Sequence, residues 1–145
     1  MTRKIALVLE YEGTEYAGFQ RQANACSVQA VLEQAVHSLT GAPVRVKGAG
    51  RTDAGVHAAG QVVVFETQSS LPPESFRRGL NHFLPGDISV AAAYETPLSF
   101  DPRRHAVARV YRYTILTSGS RSALRRRFVY LEKRPLDAEA MAQAM

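Results

Sequence analysis

The stretch Val44-Arg45-Val46-Lys47-Gly48-Ala49-Gly50-Arg51-Thr52-Asp53-Ala54-Gly55-Val56-His57-Ala58-Ala59-Gly60-Gln61-Val62-Val63-Val64-Phe65-Glu66-Thr67 sets two apolar runs on either side of a polar turn. Val44 to Ala49 reads as a short strand and Gln61 to Thr67 as the next one. The connection, Gly50 to Ala58, carries a single carboxylate, Asp53, two residues after Arg51. Glycine before and after it permits φ > 0 and lets another molecule approach the main chain closely. A carboxylate acid/base pair or a metal site would need a second acid, a cysteine or metal-spaced histidines beside Asp53, and none is there. Two readings remain: a tight turn capped by Asp53, or an ionised carboxylate acting as nucleophile or anchor.

Working outward, Ile5 to Tyr11 is a short run rich in branched residues that reads as a buried strand. The loop after it holds Gly13, Gly18, three aromatics and a cluster of amides. Ser27 is placed to cap a helix whose apolar residues Val28, Val31, Leu32, Ala35, Val36 and Leu39 recur at helical spacing, and Gly41 stops it. Pro72 and Pro73 introduce a second helix with Phe76, Leu80, Phe83 and Leu84 on one face, ended by Pro85-Gly86. Ile88 to Tyr94 completes a further strand. The order β-α-β-β-α-β predicts an α+β fold of the split βαβ, ferredoxin-like kind, with both helices on one face of an antiparallel sheet. The other face of such a sheet is a platform for RNA.

Residues 1–104 make up this first domain, and residues 105–145 read as the incomplete beginning of a second, similar one. There, Val107 to Thr117 is expected as a strand with Arg109, Tyr111, Tyr113 and Ile115 on one face. Phe128 to Leu131 is expected as another strand, and Leu136 to Met145 as a helix cut off in mid-turn. So few elements cannot close a core, so the chain is expected to be truncated or to depend on a partner.

Composition narrows the function classes. An apolar content of 46% is ordinary for a folded domain, and the net charge of +5 points to a polyanionic partner. The charge is uneven: from 101 to 134 arginines crowd the chain and the only acids are Asp101 and Glu132. Arginine outnumbers lysine throughout, which favours forked contacts to phosphate, although a solvated basic face explains the run equally well. Cys26 is the only cysteine, so no intrachain disulfide can form and a reducing, cytoplasmic setting fits. A thiol nucleophile made of Cys26 and His37 is the weaker chemistry, since a small residue ahead of a helix start is unremarkable. The apolar run near the N-terminus ends too soon for a signal peptide or a membrane span.

Four blocks then make the pattern specific. Tyr11-Glu12-Gly13 with Tyr16-Ala17-Gly18-Phe19-Gln20-Arg21-Gln22, the Gly50 to Ala58 turn, Asn81 to Asp87, and Ala108-Arg109-Val110-Tyr111-Arg112-Tyr113 follow one another along the chain. Together they resemble the tRNA pseudouridine synthases that act on the anticodon stem-loop, in that family's order. The resemblance implies two ferredoxin-like halves facing across a cleft, a homodimer that presents tRNA across both subunits, and no metal or organic cofactor. It implies Asp53 as the catalytic nucleophile, and Arg51 and Tyr111 as substrate-binding residues. Arg51 would pair with Asp53 and fill the space of the flipped uridine, and Tyr111 would pack on the uracil. Gln20, Arg21, Arg109 and Arg112 are candidate RNA contacts, the Gln20-Arg21-Gln22 cluster serving either RNA backbone or closure of its loop onto the motif. His57 reads as the donor or acceptor of a turn-stabilising hydrogen bond more than as an acid/base group. Two rival readings stand beside this one. One is a non-catalytic RNA-binding ferredoxin-like fragment. The other is an Asp-nucleophile hydrolase, which for phosphoryl transfer wants a nearby second acid, whereas none follows Asp53 before Glu66.

Overall fold

In the computed structural model, which describes residues 1–145, β1 (Arg3–Tyr11) runs through the middle of a four-stranded sheet. It pairs antiparallel with β3 (Ala58–Thr67) on one side and with β4 (Ile88–Thr96) on the other. The short β2 (Lys47–Gly48) lies outside β3, giving the order β2-β3-β1-β4. Strand alternation sends Ile5, Leu7 and Leu9 to one face, where Val63 and Phe65 of β3 join them. Against that face pack α1 (Val28–Thr40), through Val28, Leu32, Ala35 and Val36, and α2 (Pro73–Phe83), through Phe76 and Leu80. This is the ferredoxin-like split βαβ arrangement, with both helices on one side of an antiparallel sheet.

The helix boundaries follow their local chemistry. The Ser27 hydroxyl accepts from the Ala30 N–H at 3.2 Å, and Gly41 leaves α1 at φ 75°, where a side chain would be strained. Pro73 begins α2, where its missing N–H costs nothing.

The strands differ from their expected bounds. The strand expected over Val44 to Ala49 shrinks to Lys47–Gly48 because α1 side chains occupy the Val46 backbone. The Val46 N–H donates to Glu33 Oε1 at 3.0 Å, and its carbonyl accepts from Gln29 Nε2 at 2.9 Å. β3 begins earlier than Gln61, because Ala58 pairs with Tyr11 across a register shift in β1.

On the face turned from the helices, Ala6 and Val64 are buried. The chain after β4 folds back here: the Lys4 ammonium donates to the carbonyls of Leu98 and Phe100, and Lys47 Nζ meets Asp101 Oδ2 at 2.5 Å. Arg103 Nε reaches the Gly48 carbonyl at 3.3 Å. The face expected as a platform for RNA is thus partly strapped.

By its internal contacts the chain divides into two units, Met1–Val107 and Ala108–Met145. The second holds β5 (Ile115–Thr117) and β6 (Tyr130–Glu132), paired in parallel, and α3 (Ala138–Gln143), capped by Asp137. The long strand expected from Val107 to Thr117 is not formed. Only its last three residues find a ladder partner, so residues 107–114 lie outside any strand.

Candidate active site

The loop from Gly50 to His57 leaves β2 and enters β3 at one end of the sheet, where the loop after β1 lies against it. It is held from several directions, through main chain and side chains. The Thr52 hydroxyl and the Tyr11 phenol hydrogen-bond at 2.8 Å, and the Thr52 carbonyl accepts from the Phe19 N–H at 3.0 Å. The Gly55 N–H donates to the Tyr16 carbonyl at 3.2 Å, and the Gly13 N–H donates to His57 Nδ1 at 2.9 Å. Within the turn the Val56 N–H closes onto the Asp53 carbonyl at 3.1 Å, with Gly55 at φ 79° in the position that favours glycine. His57 therefore ties one loop to the other.

The two loops touch backbone to backbone. A Cβ on Gly13 would stand 1.9 Å from the Val56 carbonyl oxygen, and one on Gly18, itself at φ 86°, would stand 2.7 Å from the Thr52 oxygen. The first loop is in turn anchored behind. Tyr16 donates its phenol to Asp87 Oδ1 at 2.6 Å, and the Glu12 N–H donates to the Asp87 carbonyl at 2.9 Å. Burial first, and then the bond to Asp87, push the Tyr16 phenol far above its ordinary value. Burial also raises Tyr11, against the opposing pull of its hydrogen bond with Thr52.

Asp53 itself is exposed, and its carboxylate has no ion-pair or hydrogen-bond partner. The expected ion pair with Arg51 does not form. Arg51 instead lines a small cavity of about 110 Å³ together with Phe19, Gln20, Gln29, Lys47, Gly48 and Arg103. Thr52, pinned between Tyr11 and Phe19, separates the two side chains.

Gln20 lies exposed at this cavity. Arg21 is engaged elsewhere: its Nη1 meets Glu33 Oε2 at 2.8 Å and its N–H donates to Gln29 Oε1 at 2.8 Å. Glu33 is only 5% exposed, so Arg21 neutralises a buried acid and closes the loop onto α1, as Gln22 Nε2 does locally on the Ala17 carbonyl at 2.7 Å. Tyr111, Arg109 and Arg112 belong to the second unit, exposed and outside its strands. Cys26 is exposed before α1 while His37 sits in the last turn of that helix, so no thiol–base pair is assembled. No group of His, Cys, Asp or Glu is clustered to hold a metal ion, and no helix is long and apolar enough to cross a membrane.

The sequence family described as tRNA pseudouridine synthase matches residues 7–103, which contain the Asp53 turn and the loop that holds it. The chain belongs to that family. Among its relatives, the tRNA pseudouridine synthase A of Citrifermentans bemidjiense is 49% identical over 142 residues, covering 98% of this chain and 57% of that protein. The Geotalea daltonii synthase is 50% identical over 124 residues, 86% of this chain and 51% of its own length. The Myxococcus xanthus synthase is 48% identical over 141 residues, 97% of this chain and 53% of its own length. The chain spans a little over half the length of these relatives.

In this member of the family several supporting residues escaped the sequence reading. Lys47 and Arg103 at the cavity are far apart in sequence, and Thr52, Asp87 and Glu33 look like ordinary polar residues until the fold brings their partners to them. The Asn81 to Asp87 block was the one signal pointing toward Asp87.

Proposed function

We propose that this chain carries the nucleophile of a tRNA isomerase that converts uridine to pseudouridine in the anticodon stem-loop. The observation that carries the reading is Asp53: a solvent-facing carboxylate without partners, on a turn held through its main chain by Phe19 and Tyr16 and through the Thr52 and His57 side chains by Tyr11 and Gly13. A carboxylate anion is itself a nucleophile with no proton to give up, so attack needs no general base. Asp53 bonds to C1′ as the glycosidic C1′–N1 bond breaks and its electron pair stays on N1; the uracil turns, and C5 attacks C1′, displacing the carboxylate. The C5 hydrogen then leaves as a proton, and N1 takes one up. The covalent bond keeps the two fragments together during the turn.

Arg51 contacts the RNA strand beside Asp53. Tyr111 packs on the uracil, a contact worth about 1–3 kcal/mol. That offsets much of the roughly few kcal/mol needed to flip a uridine out. Arg109 and Arg112 add phosphate contacts, and Gln20 lies on the RNA side of its loop. Arg21 serves this site through Glu33 rather than by reaching RNA. The active protein is a cytoplasmic homodimer in which tRNA crosses both subunits, and the chemistry needs no cofactor.

Release of tritium from C5-labelled uridine in tRNA tests the assignment, because forming the new bond expels the C5 hydrogen. Asp53→Asn is expected to abolish release while tRNA affinity stays within a few-fold. Release equal to wild type from the variant would remove Asp53 from the chemistry. Tight tRNA binding by the wild-type chain without any release would make it an RNA-binding module.

A further inference from the structure

We propose that Lys47, Arg51 and Arg103 form a seat for a single phosphodiester group of the RNA strand, next to the Asp53 turn. The RNA source of the phosphate rests on the isomerase reading above; the anion seat rests on the cavity itself. At about 110 Å³ the hollow has room for one tetrahedral anion and not for a nucleoside. Its floor is Phe19 and Gly48, where a Cβ would stand 2.7 Å from Phe19 Cε1 and 3.0 Å from the Gly50 carbonyl oxygen.

The polar lining is rich in donors. Gln29 is the one deeply buried polar group there, and it is already used. Its Nε2 donates to Glu33 and to the Val46 carbonyl, and its Oε1 accepts from the Arg21 N–H. The remaining polar side chains are the amide of Gln20 and the three cations. Lys47 is bonded to Asp101, and the Glu33 carboxylate behind Gln29 is answered by Arg21. Arg51 has neither an ion pair nor a hydrogen bond, so its charge faces the hollow uncompensated. Arg103 is held at the rim by its Nε bond to the Gly48 carbonyl. A planar guanidinium fork suits phosphate oxygens better than any neutral ligand. Arg51 and Asp53 are two positions apart, at most about 7 Å of chain, so the phosphate held is within a nucleotide of the reacting uridine.

The test has two arms, both on the 145-residue chain. In the first, inorganic phosphate is titrated at constant ionic strength, with chloride as control, while the amide resonances of Gly48 and Arg51 are followed. Saturable shifts are expected, weakened several-fold in Lys47→Gln and in Arg103→Gln. In the second, anticodon stem-loop RNAs carry one uncharged methylphosphonate each, moved along the strand. One linkage beside the target uridine is expected to weaken wild-type binding on the order of ten-fold, as loss of a charged hydrogen-bonded contact does. That penalty shrinks to near nothing in Arg103→Gln. Absence of saturable phosphate shifts overturns the seat. Phosphate binding without any linkage that couples to Arg103 overturns its RNA role and leaves a free-anion site. If Arg103→Gln fails to give a folded spectrum, Lys47→Gln and Arg103→Lys carry the same comparison. A chain that couples to one linkage yet releases no tritium keeps the seat and loses the isomerase reading, so the two fail separately.

Discussion

Tyr16 reaches back from the loop after β1 to Asp87, just before β4, and through it the Asp53 turn is tied to the far side of the sheet. Removing the phenol in Tyr16→Phe is expected to cost about 1.5–3 kcal/mol, the range for a hydrogen bond to a charged group, read from denaturant midpoints at pH 7. The sign of its pH dependence is fixed by the direction of the shift. A phenol raised in the fold contributes its stability in full below about pH 10, the unfolded tyrosine value, and loses it as pH climbs toward the folded one. Wild type should therefore weaken more steeply than Tyr16→Phe above pH 10; a parallel fall of both would remove Tyr16 from the effect, since Tyr11 shifts the same way in each. At this scale Asp53 was legible because it stands alone as an acid in a glycine-bracketed turn. The bonds that hold it were not. Tyr11–Thr52 and Tyr16–Asp87 join positions 41 and 71 residues apart, and sequence spacing says nothing about side chains that meet only through strand register. The Arg51–Asp53 pair failed for the opposite reason: nearness in sequence did not survive the pinning of Thr52 between them.

Among elements, α1 repays the closest comparison. Its bounds at Ser27 and Gly41 were readable because cap chemistry is local. Ser27→Ala should cost about 1 kcal/mol, measurable as a lowered urea midpoint at unchanged slope, because the Ala30 N–H loses its acceptor at a buried site. No change in midpoint would mean that another group takes over the cap. The strands were less readable. A strand exists only with its partner, and the expected ones at Val44–Ala49 and Val107–Thr117 are shortened for different causes. In the first, Glu33 and Gln29 take the Val46 backbone away from the sheet. In the second, β6 supplies a partner to Ile115–Thr117 alone. Alternating side chains at Arg109, Tyr111 and Tyr113 gave a strand-like pattern that no neighbouring ladder completes.

Over the whole chain, the two units contrast in how much they bury. Every residue of the hydrophobic core cluster lies in Met1–Val107, whereas Val110, Tyr111, Tyr113 and Leu124 are largely exposed in Ala108–Met145. Local opening is cheap where few apolar contacts resist it. Brief trypsin treatment under native conditions is therefore expected to cut first after Arg109, Arg112 or Arg125 to Arg127, leaving a resistant fragment that keeps residues 1–107, identified by intact mass. Early cuts after Arg45 or Arg51 instead would show that the Asp53 turn opens as readily as the second unit. The same arginine-rich stretch that reads as an RNA surface is thus the part whose structure is least secured by its own packing.

The bare glycine seam between the loop after β1 and the Asp53 turn has one more consequence. Gly13 and Gly18 leave no side chain in the seam, so nothing there can be exchanged for a larger or smaller group to retune how Asp53 sits. The two loops behave as one rigid part, like a key cut from a single blank. Variation in what such a site accepts has to be written on its rim, at Gln20, Lys47, Arg51 and Arg103, while the blank that carries Asp53 stays the same.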